Sequence, residues 1–397
     1  MHLSPLTEAE SPNPGPGAAA SYSLGQLTAY FLRLGTIGFG GPVALVGYMH
    51  RDLVEGRGWI SESDYRDGLA LSQLAPGPLA AQLAIYVGFV HYGVIGATAA
   101  GLAFVLPSFL MVLGLGWAYV QYGGISWVQA VFYAVGATVI GIIAYSAYNL
   151  TWKSLGGARL LWAIYLVAAA ATVITESEEV LLFLAAGVLV WLVRAPPDLG
   201  RLRGHAPAIV LAPIGAVGAG GVDLDLLGKI LAFFAYAGAF VFGSGLAIVP
   251  FLYGGLVKEH GWLTDQQFLD AVAVALITPG PVVITTGFIG FLLAGLPGAV
   301  VAAVATFLPA YFLTIIPAPY FRKYGRQPSV AAFVDGVTAA AIGAISGAVV
   351  VLGRRSVVDV PTALIALASV FVLWKWRVPE PLLILAAAAL GLLIYPA

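Results

Sequence analysis

The sequence predicts an all-α polytopic membrane protein of two homologous halves. Three observations carry that expectation: a deficit of charge, a series of long apolar runs, and an internal repeat. Of the 397 residues, 60% are hydrophobic and 9% are charged, against roughly 25% charged in a soluble globular chain. So little polar surface cannot cover a water-soluble body, so lipid is the expected solvent for much of the outside. The runs are continuous rather than alternating, which argues against barrel strands. Helices then satisfy the backbone within lipid. At about 20 residues per crossing, the chain accommodates about 12–13 membrane segments, some of them broken by Gly and Pro.

Taken in order, residues 1–23 are rich in Pro, Gly, Ser and Ala and lack a basic n-region, so they read as a disordered cytoplasmic tail rather than a secretory signal. Residues 24–195 form the N-terminal membrane repeat. Its segments are expected near Leu24–Gly47, Asp67–Phe89, Gly93–Val120, Trp127–Leu150, Leu160–Thr175 and Val180–Val193. Residues 196–225 read as a linker. Residues 226–397 form the C-terminal repeat, with segments near Leu226–Val257, Phe268–Leu293, Leu296–Ile316, Val330–Leu352, Pro361–Leu373 and Pro381–Tyr395.

The repeat is visible in the letters. GRGWISESDYRDGLALSQLAPGP (Gly56–Pro78) matches EHGWLTDQQFLDAVAVALITPGP (Glu259–Pro281), with Trp59 paired to Trp262 at an offset of 203. The same offset pairs Gly35 with Gly238, Gly40 with Gly243 and Asp67 with Asp270. Past one deletion, Gly88 pairs with Gly290 and Pro107 with Pro309. A duplicated membrane unit is an architecture of secondary transporters.

Basic residues bear on orientation. In the first half, one set of connectors holds Arg51, Arg57 and Arg66, and the opposite set holds Lys153, Arg159, Arg194, Arg201 and Arg203. In the second half the excess changes side: Lys258, Arg322, Lys323, Arg326, Lys375 and Arg377 outnumber Lys229, Arg354 and Arg355. The halves are therefore expected to be inverted. Inversion requires one more crossing, for which Ala206–Gly221 is the candidate; a peripheral linker between parallel halves is the other reading.

Other classes find little support. A net charge of −1 gives no basic field for nucleic acid. The absence of cysteine removes disulfides and thiolate sites, and the five histidines make no metal-ligand spacing, so no cofactor and no metal is expected. No nucleotide-binding GxxxxGK[ST] occurs.

Two Gly/Pro clusters recur in each half. GFGGP (Gly38–Pro42; Gly40, Gly41 and Pro42 at its core) is echoed as FGSG, with Gly243, Ser244 and Gly245. APGP, with Pro76, Gly77 and Pro78, is echoed as TPGP, with Thr278, Pro279, Gly280 and Pro281. Each should break its helix, and broken backbone at membrane depth is tolerated only against protein or a polar cavity. A half-helix starting at a break presents free N–H groups and a positive dipole end, a ready site for an anion. The other reading is a set of packing kinks.

Arg33 lies inside the first apolar segment, where an arginine is expensive and commonly functional. It can hold an oxyanion through two parallel hydrogen bonds, or it can snorkel to the interface. Its repeat partner is Tyr236, so a site built on it would be asymmetric. Gln73, Gln82 and Thr285 flank the second breaks as hydrogen-bonding candidates. Asp67, Asp270 and Asp335 are candidates for proton coupling, with helix capping as the plainer role for the first two.

GFGGP, the RGWISESDYRDGLALSQLAPGP stretch and the VLPSF run (Val105–Phe109) together resemble the chromate ion transporter family in its long, two-domain form. The resemblance implies a multi-pass inner-membrane protein of bacteria or archaea that exports chromate, with sulfate as a related tetrahedral dianion. It also implies oppositely oriented halves. The second half departs from the pattern, carrying FGSG where the first has FGGP. The expected partners are a small inorganic oxyanion and the lipid bilayer, and the assembly is open between a monomer and a homodimer. Four functions are weighed: chromate export by alternating access, driven by membrane potential or proton exchange; proton-coupled sulfate uptake; a passive anion channel; and a membrane-embedded enzyme, disfavoured by the lack of thiols, ligand clusters and a nucleophile–base pair.

Overall fold

The computed structural model describes residues 22–39, 41–123, 125–176, 180–196, 224–241, 245–324, 327–376 and 378–395. Every described element is helical. Helix α1 (Leu24–Ile37) starts at a capping box in which Ser23 accepts from the amide of Gln26 and the Gln26 side chain returns to the amide of Ser23. It stops at Gly38, and α2 (Gly41–Met49) runs back along it into a π turn at His50–Gly56. The reversal is fixed by Tyr30 of α1, which donates to the carbonyl of Tyr48 at 3.4 Å. Helix α3 (Glu62–Leu74) and the start of α4 (Leu79–Tyr122) form a second hairpin around Pro76–Pro78. Here Gly68 faces Tyr86 so closely that a Cβ would sit 2.3 Å from the ring.

Helix α4 is not one rod. At Gly93 the backbone takes φ 59° and ψ −146°, and the chain doubles back. A Cβ on Gly88 would lie 2.2 Å from the carbonyl oxygen of Gly96, and one on Gly101 would meet Ile85, so the two arms run antiparallel in close contact. The second half repeats this in α11 (Thr285–Ile315), which turns at Ala294–Gly295 and brings Gly290 against Gly298. The candidate spans Leu24–Gly47 and Asp67–Phe89, and their repeats, are therefore hairpins whose tips are the Gly/Pro breaks. At about 1.5 Å per residue, the 14 residues of α1 reach about 21 Å, short of a hydrocarbon core of about 30 Å.

The helices long and apolar enough to cross a membrane lie in Leu79–Tyr122, Ser126–Leu155, Val282–Phe321 and Pro328–Ser356. The second and fourth of these are α5 and α13. Shorter apolar helices follow each: α6 (Arg159–Thr175) and α7 (Val180–Arg194) after α5, and α14 (Val360–Trp376) and α15 (Glu380–Ile394) after α13. In the second half α8 (Leu224–Ala239) repeats α1, α9 (Ile248–Tyr253) repeats the return arm, and α10 (Asp265–Ile277) repeats α3. A short helix α12 (Ala318–Tyr324) precedes α13.

The halves are intertwined. Helix α13 packs on α6 and α7 of the first half, and α5 packs on α14 and α15 of the second. Equivalent helices run in opposite directions. Thr98, early in the second arm of α4, bonds Tyr311, late in the second arm of α11. Ile140 of α5 lies by Gly353 near the end of α13, while Leu155 at the end of α5 clusters with Ala339–Ala344. An axis that reverses helix direction is the relation of inverted repeats. The connector sets read from the basic residues do not carry over: Lys258 and Arg355, assigned to opposite sets, both pair with Glu176, because the first two segments of each half are hairpins rather than crossings. The candidate crossing Ala206–Gly221 and the tail over residues 1–21 lie outside the described residues.

Candidate functional site

The breaks of the two halves meet each other. The amide of Gly77 donates to the carbonyl of Val241 at 2.5 Å, and the amide of Gly280 donates to the carbonyl of Gly38 at 3.0 Å. The pairs are related by the repeat offset, so the contact is reciprocal: the second break of each half docks on the first break of the other. Both glycines sit at positive φ, 142° and 96°, where a side chain is strained. A Cβ on Gly77 would strike Ala310 and Gln82, and one on Gly280 would strike the Ser108 hydroxyl. Ser108, fully buried, donates to the carbonyl of Pro279 at 2.6 Å. The symmetric breaks thus lie against protein and against each other.

Beside this crossing the first hairpin encloses a groove of about 770 Å³, lined by Tyr30, Arg33, Gly38, Tyr48, Arg51, Asp52 and Arg57 among others. Its guanidinium groups are held in different ways. Arg51 is 3.0 Å from Asp52. Arg57 lies over the rings of Trp59 and Tyr30, 4.4 and 5.2 Å from their centroids, an arrangement that leaves its N–H edge available. Arg33 makes no ion pair among the described residues and remains exposed to the groove. Three cations against one carboxylate make the groove electropositive.

The corresponding positions of the repeat carry no arginine. In place of Tyr30, Arg33, Tyr48 and Arg57 stand Phe233, Tyr236, Phe251 and His260. Their rings pack on one another: Phe233 stacks on Phe251 at 5.6 Å, Tyr236 touches Phe240 and Phe251, and His260 stacks on Trp262 at 4.5 Å. One half carries a cationic groove where the other carries a cluster of aromatic rings.

The remaining candidates fall into groups. Gly41 and Pro42 open α2, and Gly245 packs on Val282 and Val283. Pro76, Pro78, Pro279 and Pro281 form the crossing tips; Thr278 and Thr285 are buried there, but their hydroxyls donate to the carbonyls of Val274 and Val282 on their own helices. Gln82 is fully buried, with its amide group on the carbonyl of Pro76 at 2.9 Å, while Gln73 is exposed. Gly40, Gly243 and Ser244 lie outside the described residues. Asp270 is 3% exposed and accepts from Tyr119 at 2.7 Å and Gln266 at 2.8 Å. Asp67 is half-buried in the matching place, where Phe321 replaces the tyrosine. Asp335 is apart from the breaks and pairs with Arg194 at 2.7 Å. The described residues hold no group of three or more His, Cys, Asp or Glu able to bind a metal.

The profile of the family described as Chromate transporter matches residues 25–191 and 228–392, one match per repeat. The chain belongs to the chromate transporter family. The chromate transport protein of Cupriavidus metallidurans is 66% identical over 381 residues, covering 95% of each chain. A probable chromate transport protein of Synechococcus elongatus is 62% identical, covering 94% of this chain and 96% of its own. The chromate transport protein of Pseudomonas aeruginosa is 32% identical, covering 94% and 92%. No solved structure matches the chain.

Within this family member, the sequence singled out Arg33 and passed over Arg51, Arg57, Tyr30 and Tyr48. Arg51 and Arg57 sit in a polar stretch that reads as a connector, so they entered only the count of basic residues. Placing the two repeats side by side would have found them, because both are absent from the corresponding positions, Gly254 and His260.

Proposed function

We propose that the chain exports chromate across the cytoplasmic membrane by alternating access, driven by membrane potential or proton exchange. The observation that carries this reading is the asymmetric pair of repeats around one crossing: a cationic groove beside the breaks in one half and a cluster of aromatic rings at the matching positions of the other. An arrangement open on one side only is what a two-state carrier requires, and exchanging the conformations of inverted repeats would open the opposite side. Arg33, Arg51 and Arg57 gather the oxyanion from solution, and the backbone donors of the breaks receive it. Guanidinium groups suit this, since their planar fork matches two oxyanion oxygens at once.

The energetics favour outward movement. One charge crossing 100 mV is worth about 2.3 kcal/mol. A dianion leaving a negative interior therefore gains about 4.6 kcal/mol, or roughly three decades of concentration. Of the three aspartates, Asp270 suits proton exchange: it is buried without a cation and bonded across the two halves to Tyr119.

The test is chromate uptake into inverted vesicles with sulfate as competitor, repeated after collapsing the potential and then the pH gradient. Saturable uptake that falls on at least one collapse is expected. Uptake indifferent to both, or without saturation, would replace the carrier by a passive channel. Uptake of sulfate in preference to chromate would change the substrate.

A further inference from the structure

The first arm of α4 begins at Leu79, behind Pro78, with no side-chain cap. The first turn of a helix leaves its amides without intrahelical acceptors. Here the amide of Gln82 reaches the carbonyl of Pro78, but those of Leu79, Ala80 and Ala81 have no acceptor among the described residues. All three residues are buried. Over the same turn lies the carboxamide of Gln82: a Cβ on Gly77 would meet it at 2.7 Å. Its Nε2 donates to the carbonyl of Pro76, and its Oε1 is buried with no partner. The orientation of an amide follows from its hydrogen bonds, and only the nitrogen end can face a carbonyl. The oxygen is therefore held as an acceptor.

Three unpaired donors and one unpaired acceptor thus belong to the same buried first turn. Leaving a buried polar group unmatched is costly, so the set describes its guest. A bare dianion would satisfy the amides but press an oxygen on Oε1. A metal cation would satisfy Oε1 and face three N–H groups. A tetrahedral monoanion that keeps one proton satisfies both, its charged oxygens on the amides and its O–H on Oε1. The second half does not reproduce the arrangement. There the chain winds into a 3₁₀ turn at Val282–Ile284, the amide of Ile284 bonds the carbonyl of Pro281, and no carboxamide overhangs the tip.

Resting on the oxyanion-transport reading above, we propose that the site at Leu79–Gln82 accepts the singly protonated oxyanion, hydrogen chromate, and that Gln82 selects it by accepting its proton in a hydrogen bond. Chromate takes up its proton near neutral pH, whereas sulfate does so only in strong acid. The site therefore discriminates between two dianions of the same shape by their basicity. It also halves the charge moved per cycle.

The experiment is exchange of radiolabelled chromate in proteoliposomes of the full chain, with equal pH on both sides and the potential clamped at zero, so that no gradient drives flux. As pH rises above the acid dissociation of hydrogen chromate, the wild-type rate at fixed total chromate is expected to fall about tenfold per unit, following the monoanion. Sulfate is expected to compete weakly at every pH. Gln82→Met, which keeps the length and removes the acceptor, is expected to lose about tenfold at low pH and to flatten the profile. The titratable groups on helices packed against α4 are Tyr30 and Arg33 of α1, Tyr48 of α2, Glu62, Asp64, Tyr65, Arg66 and Asp67 of α3, Asp265 and Asp270 of α10, and Tyr311 of α11; none is hydrogen-bonded to Gln82. A rate that is constant or rising with pH overturns the proposal, as does strong competition by sulfate; both arms use the wild type and stand even if the variant misfolds. An unaltered profile in Gln82→Met means that Oε1 holds only water, and a profile flattened by Asp67→Asn but not by Gln82→Met assigns the titration to the carboxylate; either outcome overturns it. No exchange of any oxyanion by the wild type at any pH would instead remove the transport reading itself.

Discussion

Arg33 shows how a single residue is read at two levels. Its place in an apolar run marks it as expensive, and the fold adds that it faces a groove with Arg51 and Arg57. Hydrogen bonds to charged groups are worth about 1.5–3 kcal/mol. Arg33→Ala is accordingly expected to lower chromate transport at least about tenfold with normal membrane expression, while Arg33→Lys keeps part of the rate. Initial rates at matched protein level check this, and wild-type rates in Arg33→Ala would remove the residue from the path. What the letters could not disclose at this scale is which polar groups near the breaks are free. Thr278 and Thr285 look like ligands in a sequence, yet each spends its hydroxyl on its own helix. Such local bonding is cheap for a threonine in a helix and leaves no mark on residue order.

Among elements, the hairpins were half legible. Gly and Pro announced that the helices break, but hydropathy has no sign for direction, so an apolar run that returns reads the same as one that continues. The Gly/Pro tips are the clearest cases; the other reversal falls in the expected gap after Phe89, where His91 and Tyr92 lead into Gly93. Its φ and ψ fall where a side chain is strongly disfavoured, and Gly295 repeats them at 60° and −151°. Gly93→Ala is expected to destabilise the protein by about 1–3 kcal/mol, the usual cost of such backbone strain. Thermal unfolding of the purified variant in detergent checks it. An unshifted midpoint would mean that the turn relaxes at no cost.

Across the whole molecule, the duplication was readable and the interlocking was not. Offsets in a sequence say that two units are alike; they do not say that α13 of one packs on α6 and α7 of the other. Arg194, at the end of α7, pairs with Asp335 near the start of α13, whereas α8 runs alongside the second arm of α11. The end of α7 and the start of α8 are thus expected on opposite sides of the membrane. Reporter domains fused after Arg194 and inserted before Leu224 should report opposite compartments; a shared compartment would refute inversion. The halves are also tied by a charge cluster. Glu176, between α6 and α7, pairs with Lys258 and Arg355, and Arg355 reaches Asp265 at 2.7 Å. Hydrogen bonding to Lys258, with the pull of Lys258 and Arg355, holds the Glu176 carboxyl below its ordinary range. A carboxylate lowered in the folded state stabilises it above the unfolded pKa and ceases to do so as pH falls through the folded one. Wild type should therefore unfold at a higher temperature than Glu176→Gln near neutrality, and the gap should close in acid. A gap independent of pH would mean that the pairing contributes nothing through charge.

The reciprocal bonds of Gly77 and Gly280 bear on how such a protein came to be. Neither repeat can satisfy its own tip; each lends an amide and borrows a carbonyl from a partner lying upside down. An ancestral chain of a single repeat would have needed a second copy inserted the other way round, and so a population threading the bilayer in both senses. Fusion of the two copies would make such a partnership permanent. It would also leave one copy able to carry rings where the other carries arginines.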